Sequence, residues 1–148
     1  MSSSEFNYAT LDQFIGYQLK SAFNVVQLDL RDTLKPYNLR MLTYTALVLI
    51  ADNPQLSQTQ LANAMDIERA NLVVIVDELE QRGLIVRDHV PSDRRAYALN
   101  VTLPGRRLLK KAIAAVVAHE ERLFAKLGKR SRKELINALI EVKSSHRS

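Results

Sequence analysis

Between Leu56 and Gly105 the spacing of apolar side chains switches from helical to alternating, and this constrains the fold more than any other part of the chain. Ser57 followed by Gln60 has the pattern of a capping box, which opens a helix running to about Met65. Asp66-Ile67-Glu68 makes a tight connection, after which Leu72, Ile75, Val76 and Leu79 recur at i, i+3, i+4 and i+7 until Gly83 stops the second helix. Leu84 to Arg87 and Ala96 to Val101 read as short strands around a polar loop that includes Pro91, with the tip expected at Asp93-Arg94-Arg95. Two short helices followed by a hairpin predict a winged helix-turn-helix.

The flanking segments read as helical scaffold. Thr10 with Gln13 is expected to cap a long first helix, whose stripe of Leu11, Phe14, Ile15, Leu19, Ala22, Phe23, Val26, Leu30 and Leu34 runs to Lys35-Pro36. That stripe is wider than one packed partner needs, which points to contact with a second chain as well. A second helix from about Leu39 to Ala51 breaks at Asp52-Asn53-Pro54. Thr102 caps the next helix, with Pro104 in its first turn and a stripe of Leu109, Ile113, Val116, Val117, Leu123, Phe124 and Leu127 up to Gly128. Ser131 with Glu134 is expected to open a last helix carrying Leu135, Ile136, Leu139 and Ile140 on one side. The expected architecture is mainly α with a small β-hairpin wing. Residues 1–9 form a disordered N-terminal segment, 10–52 scaffold and dimerisation helices, 53–103 the winged region and 104–148 C-terminal dimerisation helices.

Composition narrows the chemistry. A chain of 148 residues, 47% of them apolar, buries one core. It has no cysteine, which excludes disulfides and thiolate metal sites. No basic-then-apolar leader and no apolar run near the ~20 residues of a bilayer span are present, so the expected location is cytoplasmic, away from membranes. His89, His119 and His146 lie far apart, and His119-Glu120 lacks the second histidine of a helical zinc site. With no phosphate loop, dinucleotide fingerprint or nucleophile elbow, neither catalysis nor a metal or other cofactor is expected. The net charge of +5 comes from the C-terminal third, because Leu56 to Val101 holds five basic against seven acidic residues. Position must therefore carry any argument for nucleic-acid binding there.

At about 100° per residue, burying the Leu72 stripe turns Ala70 and Val74 outward with Arg69, Asn71 and Val73 on the flanks. A groove-entering helix reads bases with its N-terminal residues, where Asn pairs with adenine and small apolar groups touch thymine methyls. The plainer reading packs Val73 and Val74 under a neighbouring element. Asp77, Glu78 and Glu80 must face away from phosphates. The hairpin gathers Arg87, His89, Arg94 and Arg95 beside Asp88 and Asp93, and Asp93 is expected to hold one arginine extended for a narrow minor groove. An isolated charged hairpin is more often a solvated turn. Arg106, Arg107, Lys110 and Lys111 read first as the solvated face of their helix, and second as contacts for DNA or an anionic effector.

The run SQTQLANAMDIERANLVVIVDELEQRGLIVRDHVPSDRRAYALNVTLPGRR resembles the DNA-binding core of MarR-family transcriptional regulators, with ELEQRGLI and DRRAYALNVT its most specific parts. The resemblance implies an obligate homodimer on a pseudo-palindromic operator and repression relieved by a small ligand. It implies base and backbone contacts from Arg69, Ala70, Asn71, Val73 and Val74, with Ser57 and Gln58 on the preceding helix and Arg87, Asp93, Arg94 and Arg95 on the wing. Family members often carry a basic or polar residue where this chain has Val74, which implies either weaker phosphate anchoring or a shifted base preference. It further implies an effector, an aromatic acid or an acyl-CoA type of thioester, between scaffold and reading region. Phe14, Tyr17, Phe23, Tyr37 and Tyr44 are its possible walls and Arg40 its charge partner. The rival reading is a helical protein-interaction module on the same fold; wing arginines beside an outward Asn71 favour DNA.

Overall fold

The computed structural model describes residues 6–146. A 3-10 turn at Leu11–Gln13 precedes α1 (Ile15–Leu34), and a second at Lys35–Tyr37 leads into α2 (Met41–Asp52). Then follow β1 (Leu56–Ser57), α3 (Gln58–Met65), α4 (Arg69–Gln81), β2 (Ile85–Val90), β3 (Asp93–Val101), α5 (Leu103–Leu123) and α6 (Lys129–Ser145). The three strands form an antiparallel sheet in the order β1-β3-β2, so the fold is mainly helical with a small winged sheet, as the sequence predicts.

Local signals hold where nothing competes with them. The Ser57 hydroxyl accepts the Gln60 amide at 3.0 Å while the Gln60 side chain accepts the Ser57 amide at 3.0 Å, a complete capping box. Asp66 adopts the left-handed conformation that turns α3 toward α4, and Gly83, at φ 70°, does the same at the end of α4. Thr102 caps α5 by accepting the Gly105 amide at 3.0 Å.

Two other expected boxes do not form. The Gln13 side chain donates to the Ala9 carbonyl at 3.1 Å, Thr10 makes no capping bond, and α1 starts only after the extended Phe14. At the far end the extended Gly128 is the N-cap of α6, which leaves Ser131 inside the first turn and Glu134 paired with Arg130 at 2.9 Å. The expected disorder of residues 1–9 falls partly on residues 1–5, outside the described residues; the Ala9 amide donates to Asn7 Oδ1 at 2.9 Å.

The core joins α3, α4 and the sheet to α2 and α5. Ala46, Leu47 and Ile50 of α2 meet Leu61 of α3, Leu72, Ile75, Val76 and Leu79 of α4, Ile85 and Leu99 of the sheet and Leu109 of α5. The tightest point is the start of α5. A Cβ on Gly105 would lie 2.1 Å from the Leu84 carbonyl oxygen, and Thr102 also donates its hydroxyl to the Gly83 carbonyl at 2.6 Å. The α4–β2 turn and the first turn of α5 therefore touch backbone to backbone.

A polar tie fixes α1 to α5. His119, only 2% exposed, donates from Nδ1 to Asp29 Oδ1 at 2.6 Å, and Arg122 donates to the same oxygen at 2.6 Å. The hydrogen bond from His119, helped by the Arg122 charge and opposed by desolvation, holds the Asp29 carboxyl below the usual carboxylate range. The outer faces remain uncovered: Phe14 just before α1, Ile15 and Val25 on α1, and Ile136, Ile140 and Val142 on α6 are all more than half exposed.

Gly105→Ala should destabilise the fold by about 3 kcal/mol in chemical denaturation, because backbone must move, while Gly16→Ala, in open space on α1, should stabilise by about 0.5 kcal/mol. Equal effects of the two would contradict the close-contact assignment. The depressed Asp29 contributes stability that is complete above its unfolded value, near ~3.9, and lost as pH falls through the lower folded value. Asp29→Asn should flatten that part of the acid-unfolding profile, and an unchanged profile would rule the contribution out.

Candidate nucleic-acid interface

Burial of the Leu72, Ile75, Val76 and Leu79 side of α4 leaves Arg69, Ala70 and Asn71 exposed on its first turn. Val74 is 65% exposed and Val73 half-buried, so a neighbouring element covers Val73 only in part and leaves Val74 to solvent.

Arg69 does not reach outward alone. Its guanidinium donates to the Thr59 hydroxyl at 3.1 Å across the turn between α3 and α4. A cleft of about 170 Å³ opens beside it, lined by Ser57, Gln58, Thr59, Arg69, Arg95, Ala96 and Tyr97. Four of the sequence-derived residues, Ser57, Gln58, Arg69 and Arg95, thus meet in one cleft at the N-terminus of α3, where the first turn directs amides outward. Thr59 and Tyr97 complete it without having been singled out. The alternation of β3 carries a signal for Tyr97, which shares a strand face with Arg95 and packs its ring 4.6 Å from that of His89.

The wing differs from its expected outline. The strands run on to Val90 and begin again at Asp93, so Pro91-Ser92 is the turn and Asp93-Arg94-Arg95 opens β3. The two strands pair with each other out to Val90 and Asp93, which extends the hairpin to its tip, while β1 pairs Leu56 with Leu99 and Ser57 with Ala98 on the other edge of β3 and makes the hairpin part of a three-stranded sheet. Asp93 accepts the backbone amide of Arg95 at 3.0 Å, a turn-type bond in place of the expected grip on a guanidinium. Asp93, Arg94 and Arg95 are all exposed.

Arg87 lies elsewhere. Its guanidinium turns back to the flank of α4, where it pairs with Asp77 and sits 3.3 Å from Glu80, leaving the side chain 22% exposed. Glu78, the third acid of α4, pairs with Arg40 at 2.6 Å. Each carboxylate on the later turns of α4 therefore has a cationic partner, and although two guanidiniums face three carboxylates, the charge problem posed by the composition is reduced.

The four residues expected to contact an effector are dispersed. Tyr17 stacks on Tyr8 near the start of α1, with ring centroids 6.4 Å apart. Tyr37 and Tyr44 pack on Leu34, Leu39 and Ala112, and burial followed by the Glu120 charge raises the Tyr44 hydroxyl above its ordinary value. Arg40 points toward α4 instead. Phe14, just before α1, and Phe23 on α1 are exposed. Arg106 and Lys110 flank a separate hollow with Ala51, Asp52, Leu109 and Ile113, while Arg107 and Lys111 are exposed on α5. Among the described residues there is no group of three carboxylates and histidines able to hold a metal, and no helix long and apolar enough to cross a membrane.

Comparison with known proteins agrees with this geometry. The sequence profile of the MarR family matches residues 39–97. A solved structure of the transcriptional repressor CouR bound to a 23-mer DNA duplex superposes with a TM-score of 0.90 at 37% identity, covering 95% of this chain and 99% of that one. CouR from Rhodococcus jostii RHA1 bound to p-coumaroyl-CoA gives a TM-score of 0.81 at 32% identity, covering 90% and 94%. A putative transcriptional regulatory protein for the hcr operon of Thauera aromatica is 45% identical over 96 residues, which is 65% of this chain and 58% of that protein's length. The chain belongs to the MarR family, whose members are transcriptional regulators and not enzymes.

Proposed function

We propose that the chain works as a homodimeric repressor, each protomer inserting the first turns of α4 into a major groove and laying its wing along the flanking minor groove of a pseudo-palindromic operator. The observation that carries this reading is the common surface formed by the outward turn of α4, the Ser57–Arg95 cleft and the exposed wing arginines. Asn71 and Val74 then meet base edges, while Gln58, Arg69 and the wing arginines meet phosphates and sugars. Arg87 acts indirectly, by neutralising Asp77 and Glu80.

Dimerisation uses the uncovered apolar faces of α1 and α6, too large a patch for a lone soluble protomer. In this division residues 53–103 read DNA, and 10–52 with 104–148 set the distance between the two reading units. The effector is an aromatic acid or its coenzyme A thioester, by analogy with the p-coumaroyl-CoA held by the Rhodococcus repressor. It releases DNA by binding better to a spacing that does not fit the duplex.

Arg95→Ala should weaken operator binding by about 1–3 kcal/mol at physiological salt. Asn71→Ala should cost a similar amount and also flatten the preference among mutated operators. Fluorescence anisotropy on a duplex selected from the DNA upstream of the protein's own and adjacent genes measures both. Parent-like affinity of Arg95→Ala would refute the wing assignment.

A further inference from the structure

The turn between α1 and α2 is bound to α4 by two arginines of different kinds. Arg82, at the end of α4, donates to the carbonyls of Asn38 at 2.7 Å and Tyr37 at 3.1 Å. Arg40 donates in the opposite direction, from the start of α2 to Glu78 of α4 at 2.6 Å. The first tie ends on neutral backbone carbonyls, and its guanidinium is not among the groups that line the hollow at the second. The second ends on a carboxylate, and another anion can take its place.

A hollow of about 180 Å³ lies at this second tie, lined by Arg31, Lys35, Asn38, Leu39, Arg40 and Glu78. Its charge is unbalanced: three cations face one carboxylate. Asp32 stands 3.8 Å from the Arg31 Nε, with both side chains more than two-thirds exposed, a contact that water screens. Arg31 and Lys35 sit on the last turn of α1 and just beyond it, so their heads converge on Arg40 from a different element.

We propose that this hollow binds a phosphate or pyrophosphate group, and that the bound anion takes Arg40 from Glu78 and so weakens one of the two ties that hold α4 to the scaffold. Three cations around one hollow suit a multiply charged oxyanion better than a singly charged carboxylate, and guanidinium groups can pair with phosphate bidentately. Glu78 is seven residues from Asn71, two helical turns or about 10 Å along the same side of α4. A change in its pairing therefore acts on the helix that reads DNA, at a distance from the reading end. The same distance, and the carboxylate in its wall, argue against the hollow as a seat for the operator backbone. The idea rests on the reading of the chain as a ligand-released DNA-binding protein, and it supplies a charge-exchange route for the release.

The test titrates inorganic pyrophosphate, and separately coenzyme A without an acyl group, into the full chain by calorimetry, then repeats operator anisotropy with each at constant ionic strength. Pyrophosphate binding assigns the site to the free anion chemistry; binding of coenzyme A alone assigns it to the phosphates of a larger effector; both support the proposal, and binding of neither overturns it. Arg40→Ala should lower anion affinity by about tenfold or more. Arg31→Gln, on an exposed side chain, should lower it severalfold and keeps the test alive if Arg40→Ala does not fold. Glu78→Gln removes the competitor, so it should bind the anion severalfold more tightly, and its operator affinity should no longer respond to the anion. Weaker anion binding by Glu78→Gln would overturn the exchange. Loss of operator affinity with a shallower salt dependence in Arg31→Gln, without anion binding by the parent, would assign the hollow to DNA and overturn it too. If the parent binds the anion but no duplex, the regulatory reading fails while the anion site stands.

Discussion

Leu72, Ile75, Val76 and Leu79 fill one side of α4, and because a helix is rigid this burial decides where its remaining side chains point. Arg69, Ala70 and Asn71 are thereby placed on the outward first turn. Rotating the helix to hide Val74 would pull Leu72 or Ile75 out of the core at a cost of several kcal/mol, about that of a large core truncation. The orientation of the proposed reading surface is thus fixed by the packing behind it.

The same helix carries an electrostatic contradiction, since an element proposed to face a duplex holds three acids within four residues. The fold resolves it by geometry. Arg87 of β2 reaches back to Asp77 and Glu80, and Arg40 of α2 holds Glu78. These are half-exposed pairs that add little stability. Their consequence lies in the field: repulsion from the later turns of α4 is lowered, while Arg69 and Arg95 bring positive charge to the cleft beside its first turn.

Features set by neighbouring residues were legible in the sequence. The α4 stripe, the Ser57–Gln60 box, the Thr102 cap and the Gly83 stop each depend on contacts within a few residues, and each forms as expected. The failures share a cause in competition or distance. Thr10 lost its cap because its own backbone is helical, at φ −72° and ψ −47°, and Ser131 because Gly128 began the helix earlier. A two-residue β1 is too short to show alternation, and its partners on β3 lie about forty residues on. Arg87 looked like a wing contact because its sequence neighbours are wing residues, whereas the acids that capture it stand on another element. Gly105 gave no sign of its contact with Leu84, since close backbone approach between distant segments leaves no periodicity. Within the candidate site, Arg69, Asn71, Val74 and Arg95 followed from helix and strand geometry; the cleft joining two of them to Thr59 and Tyr97 required the tertiary fold.

Chemical footprinting of the operator, combining hydroxyl-radical cleavage with guanine N7 methylation, tests the central claim most directly. Two reading helices held by one dimer predict two patches of major-groove protection about one helical turn apart, each bordered by minor-groove protection from a wing. A single protected patch, or backbone protection with every major-groove N7 still reactive, would contradict the account.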